Sequence, residues 1–166
     1  MEDMCQLTEK LTEHKYRGSY EQIAKAILKY SDNPGMNLIN FYKQVIFSFL
    51  TGNTDMHLKN FSLLKNLNGI YNLCPAYDMV SSSLVSSDSE ELALTLNRRK
   101  IKLQDFYTPM LKAGINQKTI DNVFKLFQTS IPQWNNLIDI SFLPADLKED
   151  YKKIITENSM KIELDK

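Results

Sequence analysis

The sequence predicts a mainly α-helical domain that carries one small β-hairpin. Apolar residues recur at helical spacing along most of the chain. In contrast, Asn60–Leu64 and Ile70–Cys74 are short strand-like runs on either side of Asn68-Gly69, a dipeptide typical of hairpin turns. The chain has 166 residues, which fits one domain spanning 1–166.

Two helices are predicted before the hairpin. Ser19 and Gln22 have the spacing of a capping box, which predicts a first helix from about Tyr20 to Lys29. Asn33-Pro34-Gly35 then interrupts the helical pattern. The second helix is apolar on most of its surface and is expected in the core, and Gly52 is placed to end it in a left-handed conformation. Its apolar residues are Leu38, Tyr42, Val45, Ile46 and Phe49.

The chain after the hairpin is predicted to be helical again, after a Ser-rich loop at Ser81–Ser89 and a candidate strand at Leu92–Leu96. A helix at Leu103–Ala113 should end at Gly114. A long amphipathic stripe runs from Ile120 to Ile138, and Pro132 is expected to kink that helix. A last helix should begin near Pro144-Ala145-Asp146 and end near Asn158.

Composition excludes several classes of function. Lys plus Arg and Asp plus Glu each number 20, and the resulting zero net charge argues against direct nucleic-acid binding. No apolar run is long enough to span a membrane, and the acidic N-terminus is unlike a signal peptide. Cys5 and Cys74 fit free thiols in a reducing compartment, so a cytoplasmic protein is expected.

Asp55, Asn60 and Asp78 are the residues that point to chemistry. The mouth of a hairpin brings the start of its first strand beside the end of its second, so Asn60 and Asp78 should be neighbours. Oxygen ligands from an Asn and an Asp suit Mg²⁺. Asp55 precedes Asn60 by five positions, the interval between the catalytic Asp and the metal-binding Asn of protein kinases.

The segments Gly52–Ser62 and Leu73–Ser81 resemble the catalytic loop and the metal-binding segment of the HipA family, bacterial serine/threonine kinases of toxin–antitoxin systems. Lys15-Tyr16, Leu92–Asn97 and Leu143–Asp146 also resemble HipA carboxy-terminal patterns. The resemblance implies the helical C-lobe of a protein-kinase-like fold. It also implies ATP as substrate, a protein as phosphoacceptor, and a HipB-like antitoxin or a separate N-lobe protein as partner.

By this resemblance Asp55 is the catalytic base, and Asn60 and Asp78 bind Mg²⁺. His57 occupies the position where protein kinases often carry a catalytic-loop Lys, two residues after the Asp. It is expected either to contact the transferred phosphate, in a catalytic and nucleotide-binding role, or to hold the loop as a structural hydrogen-bonding residue.

A Gly-rich phosphate-covering loop is not found in the sequence, whose closest glycines, Gly18 and Gly35, lie far apart. The chain is therefore expected to lack the nucleotide-binding N-lobe and to show negligible turnover alone. It could be part of a longer kinase, half of a split kinase, or a non-catalytic interaction module. A weaker alternative is a metal-dependent phosphoesterase with Asp55, His57 and Asp78 as ligands.

Overall fold

The computed structural model describes residues 1–86, 91–96 and 100–164, and it has the predicted mainly helical architecture. The helices of this part are α1 (Met4–Leu7), α2 (Tyr20–Tyr30), α3 (Pro34–Leu50), α4 (Leu103–Lys112), α5 (Gln117–Ile140) and α6 (Ala145–Lys161). Its strands are β1 (Glu2–Asp3), β2 (Ser62–Lys65) and β3 (Tyr71–Leu73). They form an antiparallel sheet in the order β1-β2-β3.

Helix α2 begins where the sequence predicted, but only half of the capping box forms. The Ser19 hydroxyl accepts the backbone N–H of Gln22 at 3.2 Å. The side-chain oxygen of Gln22 accepts a hydrogen bond from the Lys10 ammonium, at 3.1 Å, instead of reaching back to the cap. A charged donor from a distant segment thus competes with the local partner.

Helix α3 is the central core helix, as predicted, and its end positions the loop that follows. Gly52 has a φ of +69°, which a residue with a side chain rarely adopts. A Cβ atom at Gly52 would lie 2.9 Å from Ile154 Cγ2 on α6 and 3.0 Å from Ser83 Cβ. Glycine is therefore required here both to end the helix and to let two other segments approach the backbone.

The predicted hairpin is present, although its first strand begins later than expected. Asn60 belongs to a 3₁₀ turn at Leu58–Asn60, and the strand starts at Ser62, so the assignment of Asn60 to a strand is wrong. The turn between the strands contains Gly69 at a φ of +82°. The Asn66 side chain accepts the N–H groups of the turn and so holds it closed.

Strand β1 was not predicted, because two residues show no detectable alternation. The strand predicted at Leu92–Leu96 is absent, and Thr95 forms only an isolated parallel bridge with Ser19. Ser19 is the cap of α2, so a ladder cannot continue along a backbone that turns into a helix. Of the predicted Ser81–Ser89 loop, residues 82–84 form a 3₁₀ turn and residues 87–89 lie outside the described part.

The C-terminal helices follow the sequence prediction closely. Gly114 follows α4 with a φ of +89°. Helix α5 is continuous through Pro132, and its predicted kink stays a prediction. Helix α6 begins directly after Pro144 and extends to Lys161, three residues beyond the expected end. None of the described helices combines the length and apolar character needed to cross a membrane.

Candidate functional site

Asn60 and Asp78 meet at the mouth of the hairpin, as the sequence predicted. The Asn60 side-chain amide donates to Asp78 Oδ2 at 2.5 Å, across 18 positions of sequence. Asn60 Oδ1 accepts the backbone N–H of His57 at 3.0 Å. These two partners fix the orientation of the amide, since only oxygen can accept and only nitrogen can donate. The carbonyl oxygen keeps a second lone pair for another partner.

Asn53 connects the two acidic residues of the candidate site. Its side-chain nitrogen donates to the backbone carbonyl of Asp78 at 3.1 Å, and its Oδ1 accepts the backbone N–H of Asp55 at 3.2 Å. The residue is only 2% exposed. One buried amide thus holds the α3–β2 loop (residues 51–61) against the post-β3 segment (residues 74–86). No local pattern in the sequence indicates this role, because the contact to Asp78 spans 25 positions.

Asp78 itself has a φ of +57°, in the left-handed region that Asp and Asn tolerate better than most residues. The neighbouring Tyr77 fastens the same segment to the hairpin. Its hydroxyl donates to the Lys59 carbonyl at 2.7 Å and accepts from the Ser62 hydroxyl at 2.5 Å. Burial raises the pKa of Tyr77, so the phenol stays protonated and can donate.

Asp55 is exposed at the tip of the α3–β2 loop, where it contacts Tyr16. The Tyr16 hydroxyl donates to Asp55 Oδ1 at 2.6 Å. This hydrogen bond is the main cause that raises the pKa of Tyr16 to about 12. The two residues are 39 positions apart, and no local sequence pattern marks them as partners.

His57 is buried beneath the loop, with 6% of its surface exposed. Its ring lies edge-on to the Tyr16 ring, with centroids 5.0 Å apart. Burial lowers the pKa of His57, and the positive charge of Lys15 lowers it further. Within the described residues, His57 Nδ1 is buried without a hydrogen-bond partner.

Because the pKa of His57 in the folded chain lies below its ordinary value of 6.5, this residue should make stability depend on pH. The stabilising contribution of the neutral ring is complete above pH 6.5 and is lost as the pH falls towards the lower folded-state pKa. We expect the free energy of unfolding to decrease less between pH 7 and pH 5 in His57→Gln than in the wild type. Urea denaturation across this range measures the effect.

The matched control for that measurement is His14→Gln, which removes the other histidine, whose side chain is 37% exposed. An identical pH dependence in wild type and His57→Gln would contradict the prediction. An equal flattening in the two variants would also contradict it, because the effect would then not be specific to His57.

Two side chains of the site have the donor chemistry of a metal-binding pair. Asn60 and Asp78 offer an amide oxygen and a carboxylate, donors of the kind that Mg²⁺ takes from proteins. Within residues 1–86, 91–96 and 100–164, no group of three or more His, Cys, Asp or Glu side chains is arranged to hold a metal. This finding disfavours the phosphoesterase alternative with Asp55, His57 and Asp78, and it does not bear on an Asn–Asp pair.

Comparison with known proteins shows the family to which this chain belongs. The model of the HipA-like C-terminal domain matches residues 1–134. A protein of Haemophilus influenzae named as a kinase is 32% identical over 137 residues, which cover 81% of this chain and 39% of that protein. One from Sinorhizobium fredii, also named as a kinase, is 33% identical over 101 residues, or 60% of this chain and 24% of that protein. The chain therefore spans well under half the length of these relatives.

Solved structures share the fold. A chain from the Shewanella oneidensis complex of HipA, HipB and operator DNA matches with a TM-score of 0.80 and 20% identity, over 99% of this chain and 44% of that one. The Helicobacter pylori proinflammatory kinase CtkA matches with a TM-score of 0.60 and 17% identity, over 98% of this chain and 68% of that one. The family match confirms the resemblance found in the sequence, and the chain belongs to the family of HipA-like C-terminal domains.

Proposed function

We propose that this chain is the catalytic lobe of a HipA-like, ATP- and Mg²⁺-dependent protein serine/threonine kinase. The observation that carries the proposal is the contact between Asn60 and Asp78 at 2.5 Å, which pairs the two metal-ligand types of a kinase at one hairpin mouth. Kinase-named relatives and the family match support the same assignment.

Each residue of the site has a role in this proposal. Asp55 accepts the proton of the substrate hydroxyl or orients that hydroxyl. Tyr16 holds Asp55 Oδ1 by its hydrogen bond, and the described residues give Oδ2 no such bond, so Oδ2 can receive the substrate. Asn60 and Asp78 hold Mg²⁺, which when bound neutralises charge on the phosphates. His57 is buried beneath the loop, where its ring packs against Tyr16, the residue that holds Asp55.

The phosphate-covering part of the kinase has to come from another segment or chain, because the sequence contains no clustered glycines. The relatives are more than twice as long as the region they share with this chain, which leaves room for such a lobe in them. A HipB-like antitoxin is a second proposed partner, since the Shewanella HipA structure contains HipB and operator DNA. The zero net charge favours contact with DNA through such a partner.

A second candidate function is a non-catalytic module that docks on a partner and transfers no phosphate. The absence of a Gly-rich loop from the sequence favours it. The buried amide of Asn53, which holds Asp55 and Asp78 in register, argues against it, because an interaction module has no chemical use for that alignment.

Binding of Mn²⁺ and ADP to the isotopically labelled chain tests the proposal. Mn²⁺ substitutes for Mg²⁺ and broadens nearby NMR signals. We expect broadening centred on residues 57–60 and 78. Asp78→Asn should lower the affinity for Mn²⁺ at least about 10- to 100-fold, the scale of losses at metal sites. Asparagine tolerates a positive φ, so this variant removes the charge with little backbone strain.

Asp139→Asn is the matched control, because it removes a carboxylate on α5 that pairs with Lys152 away from the hairpin. Its Mn²⁺ response should equal that of the wild type. Broadening centred elsewhere, or unchanged by Asp78→Asn, would show that the Asn60–Asp78 pair is not the metal site.

A further inference from the structure

The proposed kinase site lacks a permanent positive charge at the position where protein kinases often carry a lysine. That position, two residues after Asp55, holds His57. An imidazole carries no permanent charge near neutral pH. Transfer of a phosphoryl group spreads negative charge over several oxygens, and a fixed cation beside the metal stabilises that charge. A fixed cation beside the metal would therefore have to come from another part of the chain.

Lys59 is the cation closest to this position in sequence, but its side chain is engaged with β1. Its Nζ lies 3.4 Å from the Asp3 carboxylate on β1. Its backbone carbonyl is held by the Tyr77 hydroxyl. Lys10 is engaged as well, since its ammonium donates to the Arg17 carbonyl and to the Gln22 side chain.

Lys15 is attached to the α3–β2 loop through its own backbone and through its neighbour Tyr16. Its backbone carbonyl accepts the N–H of Leu58 at 3.1 Å, which fastens its segment to the α3–β2 loop. The next residue, Tyr16, is fastened to Asp55 by its hydroxyl. Lys15 is thus held between two attachments to the same loop, so its backbone position is fixed relative to the candidate base.

The Lys15 side chain packs over the residue that holds Asp55. Its Nζ lies 4.9 Å from the centroid of the Tyr16 ring, a cation–π contact. The His57 ring contacts the same Tyr16 ring. Ammonium and imidazole thus share one aromatic neighbour whose hydroxyl reaches Asp55. Among the residues that the structure describes, no carboxylate forms an ion pair with Lys15 at salt-bridge distance.

We propose that Lys15 is a phosphate-binding residue of this site, whose ammonium supplies the positive charge that His57 does not carry permanently. The inference rests on the proposed function, because it assumes a metal–phosphate group at Asn60 and Asp78. It adds a residue from the segment before α2 to a site otherwise built from the α3–β2 loop and the post-β3 segment. The ligand class is a polyphosphate carrying a divalent metal, the common part of any nucleoside triphosphate.

The test compares Mn²⁺ alone with Mn²⁺ plus inorganic pyrophosphate, measured by NMR titration of the full chain. Lys15→Met should leave the affinity for Mn²⁺ alone unchanged and weaken binding of Mn²⁺-pyrophosphate about tenfold, the loss expected for one charge-assisted hydrogen bond. Lys15→Arg, which keeps the charge, should retain most of the affinity. Lys59→Met removes a neighbouring ammonium that is engaged with Asp3, and should bind as the wild type does.

The outcomes separate the two proposals. If Lys15→Met binds Mn²⁺-pyrophosphate with wild-type affinity, the proposed role of Lys15 is overturned. It is also overturned if the variant loses as much affinity for Mn²⁺ alone, because such a loss would indicate a structural effect. The role of Lys15 is overturned as well if the wild-type chain binds Mn²⁺ at Asp78 and pyrophosphate does not increase that affinity. If the wild type binds no Mn²⁺ at Asp78, the proposed function fails first and this inference fails with it.

Discussion

Asparagine in place of Asp55 should lower the rate of phosphoryl transfer by about 10²–10⁴-fold, the usual contribution of a positioned general base. The side chain keeps its size, and its remaining oxygen can still accept the Tyr16 hydroxyl that Asp55 accepts at 2.6 Å. What is lost is the negative charge that takes up or orients the substrate proton. The measurement is the transfer of labelled phosphate in a preparation that contains this lobe together with the lobe that covers the nucleotide.

Two controls make that result specific. Because Asp55 is exposed and is not a proposed metal ligand, Asp55→Asn should unfold at the wild-type urea concentration and bind Mn²⁺-ADP with wild-type affinity. A loss of rate with both properties intact identifies a chemical role. A variant that transfers phosphate as fast as the wild type would remove Asp55 from the mechanism.

Phe41→Ala should lower the free energy of unfolding by about 3–5 kcal/mol, the range for truncating a buried phenylalanine. Phe41 is 0% exposed and lies at the centre of an aromatic cluster. Its ring centroid is 5.1 Å from those of Tyr42 and Phe61 and 6.3 Å from that of Tyr20. Removal of the ring leaves a cavity that the neighbouring helices cannot fully close. Urea denaturation measures the change.

This aromatic cluster also supports the candidate site. Phe61 directly follows Asn60, and the Tyr20 hydroxyl donates to the Met56 carbonyl in the α3–β2 loop at 3.1 Å. The matched control is Phe142→Ala, because Phe142 is fully exposed between α5 and α6. It should change stability by no more than about 0.5 kcal/mol. Equal effects of the two truncations would contradict the burial of Phe41.

Much of the fold follows from patterns that are local in the sequence. A capping box predicted α2, helical spacing of apolar residues predicted α3 and α5, and a proline in the first turn predicted α6. Glycines at positive φ follow α3 and α4 where expected. Local patterns failed where a distant partner decided the outcome. Leu92, Ala93 and Leu94 are all buried, yet only Thr95 finds a backbone bridge, to the cap of α2.

In the candidate site, too, some contacts follow from local sequence and others depend on tertiary packing. The chain by itself determined that Asn60 and Asp78 come together, because a tight hairpin leaves their separation little freedom. It also determined the family, through a motif of residues close in sequence. Only the tertiary structure decided that Asn53 joins Asp55 to Asp78, that the Tyr16 hydroxyl bonds Asp55, and that the Lys15 ammonium lies over the Tyr16 ring. The reason is physical: spacing fixes the geometry of short segments, whereas contacts across 25 or 39 positions depend on how α2, α3 and the hairpin pack together.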